Sequence, residues 1–233
     1  SLLNEGFTLL QKPFSIGARI EHPQSLINRA QYGAAAEHPA LGAADYKLAL
    51  HLPSGRSVYT FCMCPGGTVV AAASEENSVV TNGMSYYARD GVNANSALLV
   101  GVGPEDFGSE HPLAGMFLQR RIEQKAFVLG GQTGYAPCQT VGDLLAGHAS
   151  GKLGCVQPSY KPSVVPCDLS ELLPLPLIDA MREAIPMLGR RLHGFDFPDA
   201  VLTGPETRSS SPVRIPRGEN LESVTAAGLY PCG

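Results

Sequence analysis

Residues 96–102 read SALLVGV, an apolar run that is bounded by Gly103 and Pro104. A short apolar run that ends at glycine and proline is typical of a strand buried inside a sheet. The preceding chain has the same strand-and-turn character. Its strand-like segments are YKLALHL at 46–52, SVYTFC at 57–62 and TVVAAAS at 68–74, with the turns PSGR and PGG between them. The pattern predicts an antiparallel, meander-like β-unit over residues 46–102.

The spacing of the apolar residues changes to a helical period after this unit. Between His111 and Gly130 they fall on one broad face, with Pro112 near the start and Gly130 at the end, which predicts a long helix. Further helical segments are predicted at 140–148 and 169–194. Because proline removes a backbone donor and clashes with the preceding turn, we expect the last segment to be broken at Pro174, Pro176 and Pro186.

Extended segments return near the C-terminus. AVLTG at 200–204 and SPVRIP at 211–216 are strand-like, and Val224–Tyr230 reads as a final short strand that runs into a Pro-X-Gly turn. The predicted fold class is α+β, an antiparallel β-domain with an inserted helical subdomain. The predicted divisions are a first part of the β-domain at 1–107, the helical insertion at 108–194, the return of the β-domain at 195–218 and a strand stub at 219–233.

The composition excludes several classes of protein. Its 17 basic and 21 acidic residues give a net charge of −4 without charged runs, which argues against nucleic-acid binding. No stretch reaches the roughly 18 apolar residues of a membrane span, and Glu5, Lys12 and Arg19 interrupt the region where a signal peptide would be apolar. The six cysteines form no C-x-x-C pair, so we expect free thiols and no metal site. A cytoplasmic protein is predicted.

Two polar segments are candidates for a binding surface. CPGGT lets the backbone approach a planar ligand because glycine has no Cβ, and RDGVNANS carries more hydrogen-bonding groups than a hairpin needs. The alternative for RDGVNANS is a network of turns that satisfies the backbone. Cys62 and Cys64 could form a redox pair, although thiols packed at a strand end are the commoner case. The candidates are Cys64, Pro65, Gly66, Gly67, Thr68, Arg89, Asn93, Asn95 and Ser96.

A third polar segment, ETRSSSPVRIPR at 206–217, places three arginines around three serines. Guanidinium groups with neighbouring hydroxyls suit a carboxylate, a phosphate or a carbonyl oxygen, whereas the alternative is a solvated loop. From Arg208, Arg214, Asn93 and Asn95 we predict one polar cluster on a single side of the β-domain. The chain has no G-x-G-x-x-G, no G-x-x-x-x-G-K-[ST], no G-x-S-x-G and no H-E-x-x-H.

Several long segments, among them FCMCPGGTVVAAASEENSVVTNGMS, RDGVNANSALLV, TGPETRSSSPVRIPR and GLYPCG, together resemble the bacterial uncharacterised FAD-dependent dehydrogenases. The resemblance covers nearly the whole chain. It implies a larger flavoprotein in which a Rossmann-type FAD domain is interrupted by a long insert and resumes, after GLYPCG, with a glycine-rich segment that meets the flavin. The chain would then be an internal fragment, with Cys232 and Gly233 at the start of the truncated FAD segment.

The resemblance also implies a function. The chain would be the substrate-side, or cap, domain of an oxidoreductase that uses FAD, with NAD(P)H as a possible electron donor. Its partners would be the missing FAD-binding domain and a small-molecule substrate. From residue chemistry alone, we expect CPGGT and RDGVNANS to form the polar wall nearest the flavin ring, and Arg208 and Arg214 to orient an anionic or carbonyl substrate. The fragment alone is expected to be inactive and to bind no FAD tightly, and pairing of the strand at 224–230 would allow a fragment dimer. The alternative is a non-catalytic ligand-binding or protein-interaction module.

Overall fold

A seven-stranded sheet organises the computed structural model, which describes residues 2–232. The strands of the chain are β1 (Leu10–Gln11), β2 (Phe14–Pro23), β3 (Ala49–His51), β4 (Ser57–Cys64), β5 (Gly67–Ala71), β6 (Thr81–Ser85), β7 (Asn93–Val102), β8 (Ala136–Thr140), β9 (Val164–Pro166), β10 (Val201–Glu206) and β11 (Val213–Arg214). The α-helices are α1 (Gln24–Tyr32), α2 (Pro104–Phe107), α3 (Ala114–Leu129), α4 (Val141–Ala146) and α5 (Leu175–Arg191). Short 3₁₀ turns occupy Gly33–Ala35 and Leu169–Glu171.

The main sheet has the order β3-β4-β7-β2-β10-β8-β9. All its pairs are antiparallel except β8 with β9. The predicted buried run SALLVGV is the core of β7, which pairs with β2 along ten residues from Phe14–Val102 to Pro23–Asn93. β2 therefore begins at Phe14 and ends at Pro23. At the usual rise of a strand, these two ends are about 30 Å apart.

One face of the sheet carries the apolar core. Ile16, Ile20 and Leu98 are fully buried there, and α5 packs over β3, β4 and β7 with its own buried Ile178 and Met181. Each fully buried side chain of this size stabilises the fold by about 1.5–3 kcal/mol relative to an exposed one. This layer therefore supplies most of the hydrophobic free energy.

The opposite face is covered by a two-stranded ribbon of β5 and β6. The predicted meander is therefore only part of the arrangement, because the chain leaves the main sheet after β4 and re-enters it at β7. Gly66 makes this departure possible: its φ is +50°, and a Cβ at this position would lie 2.0 Å from the Arg89 carbonyl oxygen. A side chain cannot be accommodated there, so the PGG turn has a structural reason for its glycine.

Residues 108–194 are not purely helical. They contain α3, α4 and α5, but also β8 and β9, which extend the main sheet beyond β10. The helical-subdomain prediction missed these strands because β8 is buried at all five positions and contains Pro137, so that it shows no period-two alternation. The segment from 108 to 194 therefore belongs partly to the β-architecture.

The predicted helical segment at 169–194 is broken at Pro174, as predicted, because Leu169–Glu171 form a separate 3₁₀ turn and α5 begins at Leu175, but Pro176 and Pro186 do not break α5. Pro174 immediately precedes the helix and Pro176 lies in its first turn, where a backbone donor is not needed. Pro186 lies inside the helix, between the buried Ile185 and Leu188. Packing of this buried face keeps the helix continuous despite the missing hydrogen bond.

The predicted strand at 224–230 is wrong. These residues form turns, and the adjoining Ser223 makes only an isolated bridge with Arg217. Gly228 adopts a φ of +76°, which interrupts an extended conformation. The side chains of Val224, Leu229 and Tyr230 are nevertheless exposed, as predicted. No helix formed by residues 2–232 has the length and apolar character that a membrane span requires.

Candidate functional site

A layer of polar side chains is buried between the main sheet and the β5–β6 ribbon. Arg19 of β2 is completely buried, and its guanidinium donates to Asn95 Oδ1 at 2.6 and 3.1 Å and to the Cys62 carbonyl at 2.8 Å. The same group lies 3.2 Å from Glu206 Oε2. We call Arg19, Glu21, Asn93, Asn95 and Glu206 the polar layer.

Burial controls the carboxyl groups of this layer. It raises the pKa of Glu206 to about 7, because the Arg19 contacts at 3.2 and 3.5 Å are long and only partly compensate the loss of water. The pKa of Glu21 is also raised by burial, although this carboxyl accepts hydrogen bonds from Ser159 and Asn93. A buried arginine and two desolvated carboxyls thus hold the ribbon side of the sheet together.

The RDGVNANS residues are largely used inside the fold. Asn93 donates to Glu21 and to the Gln157 carbonyl, while Asn95 accepts from Arg19. Ser96 points to the other face of the sheet and bonds the Tyr46 hydroxyl at 2.9 Å. Arg89 is exposed in a turn with a φ of +52°. The side chains of Asn93, Asn95 and Ser96 therefore act as hydrogen-bond partners of buried groups, whereas Arg89 does not.

The CPGGT residues are held in a similar way. The Cys64 thiol is buried 3.5 Å from Arg19, and burial raises its pKa. The Pro65 carbonyl accepts from Ser85, and the Gly66 amide donates to Gln24. Gly67 and Thr68 begin β5 and pair with Ser85 and Met84. A thiol with a raised pKa is a poor nucleophile, which disfavours the redox pair considered above.

The two segments of the predicted polar cluster meet at Arg19, which contacts both Asn95 and Glu206, but Asn93 and Arg214 lie apart. Asn93 pairs with Pro23 at one end of β2, whereas Arg214 pairs with Leu10, which precedes the other end. Asn93 and Arg214 therefore lie beside opposite ends of β2, whose ten residues span about 30 Å. Arg208 is also near the start of β2, because the neighbouring Ser209 donates to the Ser15 carbonyl. Arg208 and Arg214 thus lie near the start of β2 and Asn93 lies at its end, while Asn95 shares the Arg19 guanidinium with Glu206.

The start of β2 lies beside both the first and the last described segments. β1 pairs with β11, the Lys12 amide donates to the Pro212 carbonyl, and Arg217 Nη1 donates to the Pro231 carbonyl at 2.9 Å. We call this region, residues 2–12 and 208–232, the paired-ends face. It exposes apolar side chains, among them Leu2, Leu10 and Tyr230.

A cavity of about 880 Å³ opens on the paired-ends face. Its walls are mainly apolar and come from the N-terminal segment, from α3 and from residues 208–215. Charged groups at its edge are already paired: Arg208 contacts Glu123 at 2.6 and 2.9 Å, and Arg120 contacts Glu75 at 3.0 Å. The apolar lining residues are Leu2, Leu3, Leu9, Leu113, Met116, Phe117, Pro212, Val213 and Ile215.

A second depression, of about 370 Å³, lies beside this cavity and shares Ser211, Val213 and Ile215 with it. Its other lining residues include Lys12, Arg214 and Arg217, and we call it the basic groove. Pro231 and Cys232 complete its rim, while Gly233 lies outside the described residues. The sequence suggested Arg214 and Arg217 as an anion site, but only the pairing of β1 with β11 brings Lys12 to them.

Within residues 2–232, the β8–α4 and β2–α1 junctions do not supply a dinucleotide cradle. Such a cradle needs free backbone amides where a strand leads into a helix. At the β8–α4 junction the amides of Val141, Gly142 and Asp143 already donate to protein oxygens. At the β2–α1 junction Pro23 has no N–H and the Gln24 amide donates to Val92. These residues do not fit a complete FAD molecule, although the basic groove suits one of its anionic groups.

Metal chemistry has no basis in the described part of the chain. Among residues 2–232, no group of three or more histidine, cysteine, aspartate or glutamate side chains is placed to hold a metal ion.

Comparisons with known proteins show the family to which the chain belongs. An "Uncharacterized protein" of Clostridium beijerinckii is 52% identical to this chain over 233 residues. The match covers 100% of this chain and 44% of the length of that relative. Residues 13–209 match the family model described as "FAD-dependent protein, C-terminal domain-like". That range includes the main sheet, the polar layer and part of the cavity wall, and the chain belongs to this family of domains from FAD-dependent proteins.

Proposed function

We propose that this chain is the substrate-side domain of an FAD-dependent oxidoreductase and that the FAD-binding part of the protein meets it at the paired-ends face. The observation that carries the proposal is the position of the 880 Å³ cavity on this face. An apolar cavity of this size is typical of a small-molecule site. Its walls include segments from both the first and the last parts of the chain, where a neighbouring domain would complete it.

The chain's own residues would bind and orient the substrate. Leu9, Met116 and Val213 would contact its apolar part and keep water away from the reacting atoms. Arg208 is fixed by Glu123, so it would offer an oriented dipole at the edge of the cavity and not a free positive charge. FAD, when bound by the neighbouring part of the protein, would supply the hydride chemistry.

This assignment replaces the wall expected from CPGGT and RDGVNANS. Those segments lie at the far end of β2 from the paired-ends face and are bonded within the fold. They would act as structural supports of the β5–β6 ribbon. The substrate would instead meet α3 and residues 208–215.

Hydrogen–deuterium exchange can test where the FAD-binding part meets the domain. The 233-residue chain is compared with the full-length, FAD-loaded protein. We expect amides at residues 8–12 and 208–230 to exchange at least about tenfold more slowly in the full-length protein, because contact slows local opening. The exposed turn at 86–92 provides the control and should exchange equally in both. Protection of 86–92 with no change at the paired-ends face would overturn the proposed interface.

Oxidoreductase activity needs a separate measurement. Addition of NADH or NADPH to the full-length protein under anaerobic conditions should bleach the flavin absorbance. Phe117 lines the cavity, so the substitution Phe117→Ala should widen the cavity edge. We expect this variant to change the KM for a substrate and to change the flavin content less. A full-length protein that carries no flavin would favour the alternative of a non-catalytic ligand-binding module.

A further inference from the structure

We propose that the basic groove binds the phosphate or diphosphate group of an organic ligand. The proposal concerns Lys12, Arg214 and Arg217, which come from three separate segments and line one depression of about 370 Å³. It goes beyond the proposed oxidoreductase function and does not rest on it.

The strand register explains why two of these cations are neighbours. Arg214 pairs with Leu10, and the Lys12 amide donates to Pro212 across the same ribbon. Residues two apart in a strand point to the same side, so Lys12 and Arg214 are diagonal neighbours on one face of β1–β11. Such neighbours are about 7–8 Å apart at their backbones, which lets both long side chains reach one anion.

The third cation is held in place by the last described segment. Arg217 Nη1 donates to the Pro231 carbonyl, and this contact leaves its other donors available. Guanidinium forks bind phosphate oxygens in pairs, and lysine adds a point charge. The three side chains together form a set of donors that matches a phosphate group.

These charges have no compensating acids in their surroundings. The lining residues of the groove include no aspartate or glutamate. Within residues 2–232, none of the three cations lies within 4.0 Å of a carboxylate, whereas Arg19, Arg56, Arg120, Arg182 and Arg208 all do. Other basic residues of the chain also lack an ion pair, but these three line a single depression that no acidic side chain lines. A single carboxylate would neutralise only one of them, so a ligand with two or more negative charges fits better.

Titration calorimetry with inorganic pyrophosphate tests this proposal on the 233-residue chain at low ionic strength. Arg214→Gln and Lys12→Gln should each weaken binding by at least about tenfold, the effect of losing one charge-assisted hydrogen bond. The control is Arg190→Gln, which removes the same charge from an exposed position at the end of α5. It should change the affinity less than about twofold.

Three results would overturn the proposal. They are no binding of pyrophosphate by the unmodified chain, equal binding by the groove variants, and an equal loss in Arg190→Gln. The last result would indicate attraction by overall charge. Thermal unfolding of each variant confirms that the fold is retained, which is expected because Arg190 and Arg214 are exposed.

Competition experiments identify the source of the phosphate. Displacement of pyrophosphate by FAD and ADP, but not by riboflavin, would assign the groove to a nucleotide diphosphate. Displacement by inorganic phosphate at similar concentration would assign it to a phosphate monoester; displacement by none of these would count against an organic phosphate ligand. Because no flavin is needed for the pyrophosphate measurement, its failure is distinguishable from a failure of the exchange experiment.

Discussion

The polar layer and the basic groove both use cationic side chains, but they place them in opposite electrostatic environments. Arg19 is completely buried and contacts Asn95, Glu206 and the Cys62 carbonyl. Arg214 lies on a two-residue strand at the surface and contacts no carboxylate in residues 2–232. The guanidinium of Arg19 is surrounded by hydrogen-bond acceptors, whereas the guanidinium of Arg214 has donors available to a ligand.

This difference distinguishes polar side chains that stabilise the fold from polar side chains that are available to a ligand. Removal of a partner from the polar layer leaves an uncompensated charge inside the protein, which is costly. Removal of a charge from the basic groove leaves only water-exposed neighbours. Stability measurements on matched variants should therefore distinguish the two regions before any ligand is known.

The largest effect is expected for Arg19→Met. This change leaves Glu206 without its cation and Asn95 Oδ1 without its donor, so the free energy of unfolding should fall by about 3–5 kcal/mol. Urea denaturation measures this directly. The double variant Arg19→Met with Glu206→Gln should recover part of the loss, since it removes the unpaired carboxyl. A single-variant loss below about 1 kcal/mol would contradict the structural role of the layer.

A smaller effect, with a defined pH dependence, is expected at Glu206. Its pKa is raised from 4.5 to about 7 in the folded protein, so between these values the folded state holds a proton that the unfolded state has released. Stability from this group is therefore present at low pH and decreases as the pH rises, by at most about 1.4 kcal/mol per pH unit.

The comparison of Glu206→Gln with the unmodified protein isolates this contribution. The difference in unfolding free energy, unmodified minus variant, should decrease from pH 4.5 to pH 7. The buried His22, whose pKa is lowered to about 4 by desolvation, has the opposite dependence, and Glu21 also titrates with a raised pKa. Both groups are present in the two proteins and should largely cancel in the difference. A difference that stays constant over this range would show that Glu206 is already ionised.

The elements with regular local patterns were predictable from the sequence. SALLVGV predicted the buried strand β7, and the helical period after His111 predicted α3, which ends at Leu129 with Gly130 as its cap. The predictions of β7 and α3 depend only on residues that are close to each other in the sequence. β8 lacks such a pattern because every residue in it is buried, and its assignment requires its partners β9 and β10.

The candidate site was predictable only in part, because its walls join distant parts of the chain. Leu9, Met116 and Val213 line one cavity although they are separated by about a hundred residues at each step. Arg208 and Arg214 were identified from their chemistry, whereas the donors of RDGVNANS that suggested a ligand are used by buried groups of the fold. The partners of Asn93 and Asn95 are Glu21 and Arg19, which only the pairing of β2 with β7 brings near.

The smallest effect, and the one with the most informative sign, is expected for Arg214→Gln in the absence of ligand. Lys12 and Arg214 repel each other across β1–β11, so removal of one charge should raise the free energy of unfolding by about 0.2–0.5 kcal/mol at low ionic strength. The gain should disappear in about 1 M salt, where charges are screened within about 3 Å. Arg190→Gln, with the same change in net charge, should leave stability nearly unchanged. A loss of stability in Arg214→Gln would instead reveal a structural partner for this side chain, and the basic groove would then resemble the polar layer in kind.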